Sequence, residues 1–188
     1  MTTNTTTEST TTTTCTRPRI YVASLADYNA GRLHGHWMDA DQEPADLHAQ
    51  IRALLAESRE PIAEEWAIHD HEGFGAWRPG EFESIDTVSA VACGIVEHGE
   101  MFAALVSHLG TVEEAARYLA DGYHGAWDSV AEYAQGFVDD LYSGELRELP
   151  DFIRYRIDYE GIGDDLELGG DIFTVACGGS IHVFSSCL

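Results

Sequence analysis

From Tyr155 to Asp171 the sequence runs Tyr-Arg-Ile-Asp-Tyr-Glu-Gly-Ile-Gly-Asp-Asp-Leu-Glu-Leu-Gly-Gly-Asp, so Asp158, Glu160, Asp164, Asp165, Glu167 and Asp171 stand within one short stretch whose single cation is Arg156. Like charges at this density repel and destabilise a compact state. Ile157, Tyr159, Ile162, Leu166 and Leu168 are interleaved with the acids and are expected to anchor the segment to a core. The pattern therefore reads as carboxylates fixed on a scaffold, and a fixed acidic surface calls for a partner that expects negative charge.

The whole chain shares this bias. Its 188 residues carry 33 acids against 10 cations, for a formal charge of -23, and every cation is Arg. Arg keeps its charge and pairs bidentately with carboxylates, so part of the set is expected to be structural. A nucleic-acid binder needs Lys and Arg to displace counterions; here the sign is reversed, which argues against direct nucleic-acid binding. Apolar residues make up 44%, ordinary for a globular protein and enough for one domain or a few small ones. Cys15, Cys93, Cys177 and Cys187 form no CxxC pair, neither a zinc spacing nor a disulfide framework. With no recognisable signal peptide, a reducing cytoplasm is the expected location. No window approaches 18 consecutive apolar residues, so no transmembrane helix is expected.

Residues 2–16 contain 11 Thr and no bulky apolar side chain; such a segment cannot offset the entropy of ordering, and 1–17 is expected to be a disordered tail. Residues 18–84 read as a small sheet with one helix. Ile20 to Leu25 is a β-rich run, Asp27 to Gly31 supplies a turn, Leu33 to Met38 returns, Pro44 opens a helix bearing Leu47, Ile51, Leu54 and Leu55, and Glu64 to His71 is strand-like. Gly73 to Gly80 reads as a linker. Residues 85–120 read as all-helical. One helix carries Val88, Val91, Ile95 and Val96 and ends at Gly99, a second carries Phe102, Leu105, Val106 and Leu109, and Thr111 with Glu114 forms a capping box for a third. Residues 121–188 read as α/β. Asp128 is placed to cap a helix with Val130, Tyr133, Ala134, Phe137, Val138 and Leu141 on one side; Pro150 begins a short helix through Ile153 and Ile157; the acidic stretch follows. Ile172 to Ala176 and Ile181 to Phe184, separated by Cys177-Gly178-Gly179-Ser180, read as a hairpin. The fold class is thus α+β in three acidic parts, with net charges of -8, -4 and -11 in turn. Charge spread in this way describes a molecular surface, where a single cation site would concentrate it.

His34-Gly35-His36 and His69-Asp70-His71-Glu72 offer metal-ligand chemistry, but in a strand His69 and His71 share a face with Asp70 opposite, and no HExxH spacing occurs. Asp164-Asp165-Leu166-Glu167 lacks the spacing and central Gly of a calcium loop. No GxSxG elbow, GxGxxG or P-loop is present. The aromatics Tyr21, Trp37, Trp66, Phe137, Tyr155, Phe173 and Phe184 sit in apolar patterns and are expected in cores. The reading is a protein with no catalytic residues, no metal and no cofactor. Its alternatives are an acidic binding module for some other basic DNA-binding protein and a metal-dependent hydrolase built on His69, His71 and nearby acids.

Arg19-Ile20-Tyr21-Val22-Ala23-Ser24-Leu25, then Asp27-Tyr28-Asn29-Ala30-Gly31-Arg32-Leu33-His34-Gly35-His36-Trp37, and further on Trp66-Ala67-Ile68-His69-Asp70, resemble the opening domain of the ArdA antirestriction proteins. The run from Ile157 through Gly170 to Phe184 is similar to the end of the same family, and the resemblance spans nearly everything after Arg17. It implies a protein of a mobile element, such as a conjugative plasmid, that imitates bent B-form DNA and occupies the DNA groove of type I restriction-modification enzymes. It also implies three small domains in a curved rod, dimerising through the third. The family's acid-rich segment falls near Val138 to Pro150, with Asp139, Asp140, Glu145 and Glu148. The family tends to have Arg where this chain has Asp164 after Gly163, and the Thr-rich tail is additional. On this reading the DNA-mimic surface comprises Glu64, Glu65, Asp70, Glu72, Glu113, Glu114, Asp121, Asp128, Glu132, Asp139, Asp140, Glu145, Glu148, Asp151, Asp158, Glu160, Asp164, Asp165, Glu167 and Asp171.

Overall fold

The computed structural model describes residues 16–188; the Thr-rich segment through Cys15 lies outside them. Arg17 pairs with Asp39 and Asp41, each at 2.7 Å.

The first sheet has the order β2-β1-β3, with β1 (Arg19–Ser24) between β2 (Gly35–Asp39) and β3 (Trp66–Glu72), all antiparallel. Alternation along β1 sends Ile20 and Val22 inward, and both are fully buried. The expected turn at Asp27 is instead a short helix, α1 (Leu25–Asn29), started by the Ser24 hydroxyl accepting from the Asp27 N–H; the turn proper comes at Gly31. Pro44 opens α2 (Pro44–Ala56), whose Leu47, Ile51 and Leu54 pack on the sheet. The run assigned as a linker is a loop pinned by Phe74, which is 2% exposed.

Three helices follow: α3 (Ile85–His98), α4 (Glu100–Leu109) and α5 (Val112–Asp121). On α3 the buried face holds Val88, Val91, Ala92 and Ile95, while Val96, expected on that face, is exposed. Helix α4 is buried without a break from Met101 to Val106, as a helix enclosed by neighbours must be. Half of the expected capping box at α5 is formed: the Glu114 N–H donates to Thr111 Oγ1 at 3.2 Å, while the Glu114 carboxylate accepts from the Thr111 hydroxyl at 3.3 Å and not from the Thr111 N–H.

The second sheet, β4-β6-β5, contains a strand not legible beforehand, β4 (Tyr123–Trp127), beside β6 (Ser180–Ser185) and β5 (Ile172–Cys177). Gly178 and Gly179 make the hairpin turn with φ of 64° and 89°, the paired positive angles that two-residue hairpins favour. Between β4 and β5 run α6 (Val130–Leu141), α7 (Ser143–Glu148), α8 (Asp151–Arg154) and α9 (Tyr159–Gly169). Sequence reasoning passed over α7, which buries only Leu146.

One core cluster runs from Ile20, Val22 and Leu47 through Val88, Val91 and Leu105 to Val175 and Phe184. Phe173 joins the helices to the second sheet, stacked on His108 at 5.0 Å and on Phe184 at 5.2 Å. A second cluster, Tyr133, Ile172 and Val183, is flanked by Trp127, Val130, Phe137 and Leu166. Among the described residues no helix is long and apolar enough to cross a membrane.

Candidate acidic interface

Helix α6 is capped by Ser129, one residue after the expected cap. The Glu132 N–H donates to Ser129 Oγ at 3.1 Å, and the Glu132 carboxylate accepts from the Asp128 N–H at 2.8 Å, so Glu132 is oriented yet still exposed. Tyr133 and Ala134 bury one face of α6. Asp139 and Asp140 lie exposed in its last turn, which has no basic residue. Helix α9 is started by the Asp158 carboxylate, which accepts from the Gly161 N–H at 3.0 Å. It packs on α6 through Gly163, buried against Val130. That contact leaves Glu160, Asp164 and Asp165 exposed and Glu167 half-buried. Thr174 Oγ1 donates to Glu167 at 2.6 Å. Leu168, expected as an anchor, is 87% exposed. The helical period turns it outward while Ile162 and Leu166 stay against the fold. Tyr155, expected in a core, is also exposed.

Three helices share an unusual ending. Asp121 closes α5, Asp139 and Asp140 close α6 and Glu167 lies in the last turn of α9, in each case without a cation there. The carbonyl end of a helix disfavours a carboxylate by about 0.3–1 kcal/mol, so these acids are held against their local preference. The same ending is visible in the sequence once the helices are placed, and it is the signal that sequence reasoning left unused.

The Arg residues do little to neutralise this face. Among the described residues Arg17, Arg19 and Arg32 pair with acids of the first sheet and its loops, whereas Arg154 with Asp151, at 2.8 Å, is the one Arg ion pair beyond residue 120. The structure brings Glu132, Asp139, Asp140, Glu160, Asp164, Asp165 and Glu167 together on two packed helices. Asp121, Asp128 and Asp171 lie at their neighbours' ends, Glu145 and Glu148 are exposed on α7, and Asp151 and Asp158 flank α8 and α9. Glu64, Glu65 and Asp70 are exposed at β3, where Glu72 is half-buried and bound to Arg19 at 2.7 Å. Glu113 and Glu114 sit in the first turn of α5.

Asp27, which sequence reasoning treated as a turn residue, is 1% exposed. The Ser58 hydroxyl donates to it and holds its carboxyl well below the usual value, at about 2; burial opposes this, and Ser24 and Arg32 reinforce it. Arg32 also pairs with Glu60. This is an internal brace, apart from the acidic face. A bulge in β3, between the pairs Tyr21–Asp70 and Val22–Ile68, breaks the alternation expected for His69 and His71. Their rings meet Tyr28 and Phe74 respectively. Among the described residues no group of three or more His, Cys, Asp or Glu side chains is placed to hold a metal ion.

Mixed helices and two small sheets, with exposed carboxylates on two packed helices, define an acidic α+β protein. The chain belongs to the ArdA antirestriction family: the model described as Antirestriction protein (ArdA) matches residues 20–179, which establishes the family resemblance read from its two ends. No curated protein matches the chain.

Proposed function

We propose that this antirestriction protein acts as a homodimer that presents its carboxylates to the phosphate-binding groove of type I restriction-modification enzymes, displacing DNA. The observation that carries the reading is the acidic pair α6 and α9, whose carboxylates, apart from the half-buried Glu167, are exposed and have no Arg partner among the described residues. On α9, Glu160, Asp164 and Glu167 recur at i, i+4 and i+7, so neighbours lie about 5–6 Å apart on one face. Asp164, where the family tends to have Arg, extends this row. The regions 18–84, 85–120 and 121–188 each add a net negative part. Tyr142, Phe152 and Tyr155, at 50%, 74% and 76% exposure, supply an apolar surface for a second copy.

The scale fits a DNA groove. A dimer with twice the formal charge of -23 equals the phosphates of about 78 Å of duplex, roughly 23 base pairs, at one charge per about 1.7 Å. Phosphate contacts carry position and not base identity, so such a mimic is indifferent to the recognition sequence of its target. The test is a titration of the protein into cleavage and methylation reactions of a purified type I enzyme on unmodified DNA, at low and high salt. Stoichiometric inhibition that weakens with salt is expected. No inhibition at low salt by a folded dimer would assign the surface to another basic protein.

A further inference from the structure

Beside the acidic helices lies a half-open groove of about 610 Å³ between α6, α9 and the second sheet. Its wall is aromatic: Trp127 meets Tyr133 edge-on with centroids 5.5 Å apart, and Tyr133 lies 6.2 Å from Phe137. Leu166 lines it as well, and two carboxylates, Asp140 and Asp171, open onto it. Neither is ion-paired among the described residues, and no Arg lines the groove. The Trp127 indole N–H is already spent on the His124 carbonyl at 3.1 Å, so the ring offers its face and not a donor. These aromatics belong to the second core cluster, and the groove is the open side of that cluster, where Trp127 and Phe137 are only partly buried beside the two carboxylates.

We propose that this groove seats an arginine side chain of the basic partner protein, a refinement that rests on the reading above. A guanidinium is planar and weakly hydrated, stacks on aromatic faces and donates to carboxylates at the same time. The described residues contain the arrangement twice: Arg19 lies 4.7 Å from the centre of the Trp37 ring while bonding Glu72 at 2.7 Å, and Arg154 lies 5.5 Å from the centre of the Tyr155 ring while bonding Asp151 at 2.8 Å. Charge selects the occupant. Asp140 and Asp171 stand on a groove that no Arg lines, and neither has an ion-pair partner among the described residues, so the groove favours a cationic side chain over a neutral one. The carboxylates thus fix the cation and the aromatic wall holds its stem, which turns one point of a diffuse electrostatic surface into an anchor.

The first arm uses N-acetyl-arginine N-methylamide as probe and the Trp127 indole N–H as reporter, followed by NMR. A saturable shift is expected, lost in Asp140→Asn/Asp171→Asn, weakened in the charge-conserving Phe137→Leu, and retained in the equal-charge control Asp164→Asn/Asp165→Asn. No shift, or equal loss in the control, overturns the proposal. In the inhibition assay the groove pair should raise the inhibitory concentration about tenfold, as loss of an anchor does, against less than about threefold for the exposed control pair. A monomer–dimer equilibrium displaced by the groove variants in sedimentation would assign the groove to a second copy and overturn it too. If the unaltered protein fails to inhibit while the probe still shifts Trp127, the restriction target falls and the groove's preference for arginine stands.

Discussion

A Cβ atom on Gly163 would stand 2.6 Å from Val130 Cγ1 and 3.1 Å from the Val130 carbonyl oxygen. Helices α9 and α6 therefore meet nearly backbone to backbone, and only glycine permits it. The contact fixes the acids of one helix relative to those of the other, as the proposed imitation of a rigid polyanion requires. Gly163→Ala should force the helices apart and lower stability by about 1–3 kcal/mol, the usual cost of overpacking, read as a reduced urea midpoint. Inhibition should fall further than it does for an equally destabilising change in α3.

Asp27 supplies a pH signature. Its carboxyl titrates at about 2 in the folded protein against the usual 3.8, so the folded state favours the ionised form. The resulting stability is fully present above the unfolded value and is lost as pH falls through 4 toward 2. Denaturant unfolding of the native protein and of Asp27→Asn should differ most above pH 5 and converge near pH 2. Curves that stay parallel over that range would contradict the brace formed by Ser58, Asp27 and Arg32.

The turn between β5 and β6 needs two positive φ angles. Gly178→Asn should be nearly neutral, since Asn tolerates this conformation, while Gly179→Val should cost roughly 1–2 kcal/mol. Thermal melts of the two variants check the difference.

Because the proposed binding is spread over many carboxylates, no single Asp or Glu to Ala change outside the groove should abolish inhibition. Each should weaken it by less than about threefold, as exposed charges do. An exposed substitution such as Glu145→Ala that removed inhibition outright would show a local site in place of a distributed one.

Periodicity made α2, α4, α5 and the final hairpin legible, because each couples a regular apolar pattern to a clear terminus: Pro44, Gly110, Thr111 with Glu114, and Gly178 with Gly179. Strand β4 escaped notice since Tyr-His-Gly-Ala-Trp alternates weakly and is defined by pairing with β6, far away in the chain. Val96, Tyr155 and Leu168 fall in apolar patterns, yet all three point outward, because their direction is set by helix phase and tertiary packing. The exposure of most candidate acids followed directly from their charge. Which of them gather on α6 and α9 depends on the Gly163 crossing, and the burial of Asp27 depends on Ser58 and Arg32; both are tertiary relations that local spacing does not encode.

Competition with DNA tests the central claim most directly. A fluorescently labelled duplex bound to a purified type I restriction-modification enzyme is titrated with the protein, and anisotropy follows its release. The account predicts complete displacement, with an apparent inhibition constant that rises linearly with duplex concentration and steeply with salt. A ternary complex in which the duplex stays bound while cleavage stops would contradict occupation of the DNA groove and place the inhibitory contact elsewhere on the enzyme.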